Sequence, residues 1–387
     1  MAIKVSKRGS VPPFYVMEVM RAAAERLASG RDVLHLEVGQ PGTPAPRGVR
    51  QAAQRVIDDE RLGYTVALGI EPLRAAIARH YQDNYGVHVP SEHIVVTTGS
   101  SGGFVLAFLA AFDVGDRVAI AEPGYPCYRN ILSALGIEAV GLPVDHETRY
   151  QPTVAMLEAY QGKLDGLIIA SPSNPTGTMI DRAGMVALCD YCAAHGIRLI
   201  SDEIYHGIAF DFDATTAVGL NADAVVINSF SKYFSMTGWR VGWMVVPEDL
   251  QKPIERLAQN FFISPPTLSQ FAAVAAFDCH DELRGNVAVY RENRELLLDR
   301  LPKAGLDRLS QADGAFYIYA DTAHLADDSE VLCEQILDAT GVAMTPGIDF
   351  DPLRGRQSIR ISFSGPTADI DEAANRLVAW LPSQLRR

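Results

Sequence analysis

The stretch Gly166-Leu167-Ile168-Ile169-Ala170-Ser171-Pro172-Ser173-Asn174-Pro175-Thr176-Gly177 decides the reading of this chain. Its first five residues are apolar and lack any polar alternation, which predicts a short strand buried on both faces. The Pro- and Gly-containing segment after it ends the strand and presents polar groups there. An amphipathic helix follows at Arg182–His195, and then another apolar run at residues 197–201. The same unit recurs outward along the chain. Apolar runs at 93–98, 117–121 and 224–228 alternate with helix-like stretches at 101–112 and 153–161. Short buried strands alternating with helices predict an α/β fold, a mostly parallel sheet with helices on both faces.

After residue 280 the texture changes. A long charged helix at 281–303 leads to strands near 315–320 and 358–363, with helices at 330–340 and 367–381. This tail reads as a smaller α/β unit. The first 45 residues hold a helix and a strand (33–38) before the main alternation begins, so they are expected to pack with it. The expected division is a large domain over 46–283 and a small domain built from both termini, 1–45 and 284–387.

Composition narrows the function. The 387 residues carry 34 Lys and Arg against 47 Asp and Glu, a net charge of −13. So acidic a surface repels nucleic-acid and lipid phosphates, which argues against both as partners. The longest apolar run, 104–112, is far short of the ~18 residues a membrane span needs. Pro12 and Pro13 stand where a signal peptide would place its apolar stretch, so a cytoplasmic location is expected. Cys189 and Cys192 form a CxxC inside a predicted helix, with no second pair or His cluster to complete a metal site. They read as core thiols, and no metal is expected.

In open parallel sheets, ligands bind outside the carboxyl ends of the strands. Five successive strand exits here carry Gly99-Ser100-Ser101-Gly102-Gly103, Glu122-Pro123-Gly124-Tyr125, the Ser171–Gly177 segment, Asp202-Glu203-Ile204-Tyr205 and Ser229-Phe230-Ser231-Lys232. The first enters a helix, where small residues and free amides suit an anion. It is neither a Walker motif nor GxGxxG. It also matches G-x-S-x-G, the nucleophile elbow of α/β-hydrolases, with Ser101 as nucleophile and Asp202 followed by His280 or His324 in the right order. That reading lacks an oxyanion segment and leaves Lys232, Asn174 and Tyr205 unused. Lys232 is more informative, because a lysine partly desolvated near other cations can form Schiff bases. Thr237-Gly238-Trp239-Arg240 follows, and Arg240 can fork a phosphate. A lysine, a phosphate cradle and the Asp202 carboxylate together meet the needs of pyridoxal phosphate.

With these residues in place, the chain resembles fold-type I pyridoxal-phosphate enzymes of the aspartate aminotransferase-like class I/II family. Ser171–Gly177, Asp202–Tyr205 and Ser229–Lys232 with Thr237–Arg240 carry the resemblance, which runs from about Val38 to Arg360. It implies that Lys232 links the cofactor and moves the proton of the substrate Cα. It implies that Asp202 pairs with the pyridinium nitrogen, Asn174 and Tyr205 bond the phenolic oxygen, and Tyr125 stacks on the ring. Ser100, Ser101, Gly102, Ser229 and Arg240 are implied to hold the phosphate. Tyr64 resembles the tyrosine that reaches the other subunit's phosphate, implying a homodimer with shared active sites. Arg360 matches the carboxylate-binding arginine, and Gly39 resembles the segment on the substrate side.

Alternation within Ser358–Phe363 supports Arg360 independently. Ile359, Ile361 and Phe363 share one strand face, and Arg360 takes the other. No second cationic group for a side-chain carboxylate is identified. Leu109, the segment Asn260-Phe261-Phe262-Ile263 and Phe14-Tyr15-Val16 favour a neutral, hydrophobic or aromatic amino acid. The expected reaction is ping-pong amino transfer from an L-amino acid to a 2-oxo acid. The same scaffold supports a cysteine-S-conjugate β-lyase, and a non-catalytic cofactor-sensing module is a rival of another class.

Overall fold

A computed structural model describes residues 3–383, so the outermost residues assigned above to the small domain lie outside the described ones. The strands in chain order are β1 (Leu34–His35), β2 (Ile94–Thr97), β3 (Arg117–Glu122), β4 (Glu138–Pro143), β5 (Gly166–Ala170) and β6 (Arg198–Asp202). They continue as β7 (Val225–Ser229), β8 (Gly242–Val245), β9 (Tyr317–Asp321), β10 (Val342–Ala343), β11 (Thr345–Pro346) and β12 (Ser358–Ser362). Seven of them form one sheet in the order β2-β8-β7-β6-β5-β3-β4. Neighbours from β7 to β4 run parallel, while β8 is antiparallel to both β7 and β2.

Alternate residues of the central strands feed two cores. Leu167 and Ile169 pack with Leu199, Val226 and Trp243 on one face. Ile168 packs with Ile120, Ile200, Ile227 and Met244 on the other. Burial on both faces explains why these strands read as continuous apolar runs. The helix Arg182–His195 shows the local logic. Asp181 caps its start by accepting the Gly184 amide at 2.7 Å. Gly196, at φ 65°, ends it in the left-handed conformation. It buries Cys189 and Cys192, so the CxxC thiols are core groups.

A third apolar core surrounds β9 and β12, joining Phe316, Ile318, Ile359 and Ile361 to the helices Ser329–Thr340 and Thr367–Trp380. There β11, β12 and β9 form an antiparallel sheet, and β1 pairs with β10. The strand expected over 33–38 is only Leu34–His35. Beyond it the backbone stays close, with Ser362 donating to Leu36 O at 2.7 Å, but then leaves the sheet and runs to the edge of β12 and the cavity described below. The edge strand β4 escaped the sequence reading because its half-exposed residues give neither a buried run nor a clean alternation. Among the described residues no helix is long and apolar enough to cross a membrane, and no His, Cys, Asp and Glu group could hold a metal ion.

Candidate active site

The carboxyl edge of the seven-stranded sheet opens into a cavity of about 510 Å³. Antiparallel β8 matters here. Because Ser229 at the end of β7 pairs with Gly242 at the start of β8, the turn carrying Arg240 returns to the same edge. Of the residues singled out from sequence, Gly39, Ser100, Ser101, Tyr125, Asn174, Asp202, Tyr205, Lys232, Arg240 and Arg360 all line this cavity.

Asp202 closes β6 and is 3% exposed. Its Oδ1 accepts the Ile204 amide at 3.1 Å, and its Oδ2 accepts the Tyr128 hydroxyl. Burial pushes its pKa up to about 6, against the lowering effect of those two donors. Lys232 is half-buried and donates to the carbonyl of Gly39. Its ammonium stands 5.6 Å from the centre of the Tyr205 ring. Burial first, and then the Arg360 guanidinium, lower its pKa to about 8. The tyrosine hydroxyls of Tyr205 and Tyr317 bond each other at 2.8 Å.

Arg360 leaves the third core through β12, as the alternation predicts, yet it is only 2% exposed. Its guanidinium lies 4.6 Å from the centre of the Tyr317 ring and 4.8 Å from that of Phe350. It donates to Asn174 Oδ1 at 3.0 Å, to Thr345 Oγ1 at 3.2 Å and to the carbonyl of Glu37. Its Nε is buried without a partner. A guanidinium so enclosed is preorganised, and an incoming carboxylate need not order it.

Two glycines are fixed by close approach. A Cβ on Gly39 would stand 2.3 Å from the Tyr317 hydroxyl, and one on Gly99 would stand 2.5 Å from Arg240 Nη2. Gly99 also has φ +73°, so it, rather than Gly102, lets the backbone turn against the guanidinium. Gly102 does not line the cavity. It sits inside the helix Gly99–Ala111, where a Cβ would meet Thr98 Oγ1 at 2.3 Å. Ser229 is likewise behind the wall, bonding Ser231 Oγ at 3.0 Å, and Ser231 takes its place at the surface. Tyr64 is 83% exposed and lines a separate groove with Leu62, Pro265 and Phe271. Ser101 has no histidine beside it among the described lining residues. His280 bonds Tyr233 and His324 bonds Gly305 O, so a hydrolase triad is not assembled.

The sequence reading missed Tyr128, Tyr317 and the carbonyl of Glu37. Tyr128 sits within the helix Pro126–Leu135, where one tyrosine looks like any other packed aromatic. It has a measurable consequence. Tyr128→Phe removes a donor from a buried carboxylate, so the Asp202 pKa should rise further. The acid limb of the pH–rate profile is expected to move upward, with about a tenfold loss of rate near neutrality.

Comparison with known proteins finds relatives along nearly the whole chain. The chain is 52% identical to valine–pyruvate aminotransferase of Mycobacterium tuberculosis, over 99% of this chain and all of that one. It is 32% identical to (5-formylfuran-3-yl)methyl phosphate transaminase of Methanocaldococcus jannaschii, over 95% and 96% of the two. The crystal structure of an aminotransferase from Mycobacterium tuberculosis superposes with a TM-score of 0.97 at 52% identity, covering 99% of this chain and 100% of that one. That of Thermus thermophilus aspartate aminotransferase with maleate gives 0.91 at 28% identity, covering 98% and 100%. The sequence profile of aminotransferase class I and II matches residues 31–377, and the chain belongs to that family.

Proposed function

We propose that this aminotransferase uses pyridoxal 5'-phosphate and takes L-amino donors with neutral, apolar side chains. The enzyme moves an amino group from an amino acid to a 2-oxo acid. The single observation behind the donor preference is the charge inventory of the cavity. Among its described lining residues the charged groups are Lys232, Arg240, Arg360 and Asp202, and the remaining wall is largely apolar or aromatic, with Phe14, Val16, Met17, Met20 and Phe104. With Lys232 and Arg240 given to the cofactor and Arg360 to the donor's α-carboxylate, no cation is left for a second carboxylate. The relative that acts between valine and pyruvate fits this reading.

The residues present fit the cofactor. The Asp202 carboxylate accepts two hydrogen bonds and has capacity for a third donor, which a ring N–H supplies. The amine of Lys232 is committed to one carbonyl. Arg240, flush against Gly99 and donating to the Thr237 carbonyl at 3.0 Å, lines the cavity with Ser100, Ser101 and Ser231 at the helix start, a set suited to a phosphate. Tyr125, Asn174 and Tyr205 line the same cavity, and the proposal assigns the ring face to Tyr125 and the phenolic oxygen to Asn174 and Tyr205. When bound, pyridoxal phosphate supplies a carbonyl to take the amino group and an electron-withdrawing ring beside the substrate Cα.

The chain supplies the rest. Arg360 anchors the donor's carboxylate through a bidentate fork, which fixes the Cα–H direction. Lys232 Nζ, close to half neutral near pH 8, accepts the Cα proton and can return it elsewhere. Asp202 holds a proton on the ring nitrogen from a site that water barely reaches. The proposal keeps the division into 46–283 and a small domain from both termini, with the helix His280–Arg300 running across the boundary. It also includes a homodimer. Tyr64, Val66, Phe261 and Ile263 are apolar or aromatic and exposed by half or more, an uncommon concentration for a free surface. Tyr64 would then complete the partner's phosphate site.

An amino-donor screen with pyruvate and 2-oxoglutarate as acceptors tests the reading. Valine and other neutral donors are expected to exceed aspartate by at least about 10²-fold in kcat/KM, because a donor carboxylate would be buried unpaired. Preference for aspartate would reject it. Ammonia and pyruvate released from a β-substituted donor without an acceptor would instead point to the β-lyase.

A further inference from the structure

Helix α1 (Tyr15–Ala28) forms one wall of the cavity, yet little holds it there. Of its 14 residues only Val16 and Ala23 are buried. Met17 and Met20 line the cavity while remaining exposed. The C-terminal end is tied by Arg26, which donates to the carbonyls of Asp32 and Asp338 at 2.8 and 3.0 Å. The N-terminal end has no side-chain cap of its own, since Phe14 occupies the cap position. A helix start leaves its first amides without partners. Here the amides of Tyr15 and Val16 donate to the two carboxylate oxygens of Asp349, each at 3.3 Å.

Asp349 is 3% exposed and belongs to the turn after β11, so it comes from the far end of the chain. That turn is itself fixed to the cavity. Thr345 of β11 pairs with Arg360 in register, and Arg129 donates to the Asp349 carbonyl at 3.4 Å. The carboxylate meets the positive end of the helix dipole as well as two amides. The contact therefore links the strand beside the carboxylate-binding arginine to the wall formed by α1.

We propose that Asp349 is a positioning residue that pins α1 over the cavity, so that Phe14, Val16, Met17 and Met20 bound the space for the donor's side chain. The specificity part rests on the reading of the cavity as the amino-donor site. Without the pin, the wall on which a branched side chain packs is free to move, while a methyl side chain loses little.

Asp349→Ala and Asp349→Asn test this in the cofactor-saturated enzyme, with two readouts. The first is amide hydrogen exchange over residues 14–20. The second is KM and kcat for the half-reaction with L-valine and with L-alanine. In Asp349→Ala, exchange at Tyr15 and Val16 is expected to accelerate at least about tenfold. KM for valine is expected to rise about tenfold and that for alanine less than about twofold, with kcat changed far less than the valine KM. Asp349→Asn keeps one acceptor and should fall between, and it carries the test if the alanine variant does not fold. Unchanged exchange at residues 15 and 16 would overturn the anchor. Equal KM losses for valine and alanine would overturn the specificity role. If the unmodified enzyme itself does not favour valine, the donor reading fails, and the exchange result still decides the anchor.

Discussion

Lys232→Ala is expected to lower kcat by at least about 10⁴-fold, the upper end for a positioned acid–base group that also forms a covalent link. Lys232 is the only amine among the described residues lining the cavity, and no histidine stands beside it as a substitute. The variant should fold, because the side chain makes one hydrogen bond, to Gly39 O, and desolvation opposes its charge. Cofactor added to the variant should remain without the visible band of the lysine-linked form. Full activity would reject Lys232 as the proton carrier. A pH signature accompanies this. Only the neutral amine attacks a carbonyl, and the lysine pKa is lowered to about 8 by burial and by Arg360. In the cofactor-free protein the rate of linkage should therefore rise with pH through about 8 and level off above it, instead of climbing toward the usual lysine range. A stopped-flow series across that window checks the sign and the midpoint.

Arg360→Ala is expected to lower kcat/KM by about 10²- to 10³-fold, since it leaves a donor carboxylate without its fork in a desolvated site. On the proposed reading cofactor affinity should change much less, because Arg360 would reach the cofactor only through Asn174, while the phosphate is assigned to Arg240. The substitution also removes one of two donors to the Glu37 carbonyl, leaving Thr345 Oγ1 at 3.1 Å, and opens space between Tyr317 and Phe350. Some loss of thermal stability is therefore expected alongside the kinetic effect. Arg360→Lys separates the two: it keeps the charge but not the fork, and it should still lose most of the kcat/KM. Parallel losses in cofactor affinity and turnover would contradict the assignment.

Much of this was legible in the chain because burial leaves strong marks. The strand Gly166–Ala170 and the helix Arg182–His195 have the bounds the sequence predicts, since one is apolar on both faces and the other is capped by Asp181 and Gly196. Asp202 and Lys232 announce themselves as charged residues at the ends of apolar strands. What stayed hidden depends on direction and distance. Gly99 and Gly102 are indistinguishable in Gly99-Ser100-Ser101-Gly102, and only the fold shows that Gly99 faces Arg240 and Gly102 faces Thr98. Tyr317 and Tyr128 reach the site through hydroxyls on otherwise ordinary packed aromatics. The partners of Arg360 and Lys232 at Glu37 and Gly39 are backbone carbonyls, which carry no side-chain signal at all. Asp349 reaches α1 from the opposite end of the sequence, so no local pattern could connect them.

The charge balance gains meaning from the site. The chain carries −13 overall, yet its cavity gathers Lys232, Arg240 and Arg360 around Asp202, the one carboxylate among the described lining residues. On the proposed reading, small carboxylates and a phosphate would enter a cationic cavity within an acidic chain.

The most direct test mixes the cofactor-saturated enzyme with L-valine and no acceptor, following the cofactor spectrum and the 2-oxo acid released. Loss of the visible band with one 2-oxo acid per site, no ammonia, and recovery of the band on adding pyruvate is the predicted result. An unchanged spectrum with valine, or continuous release of ammonia without an acceptor, would contradict the account.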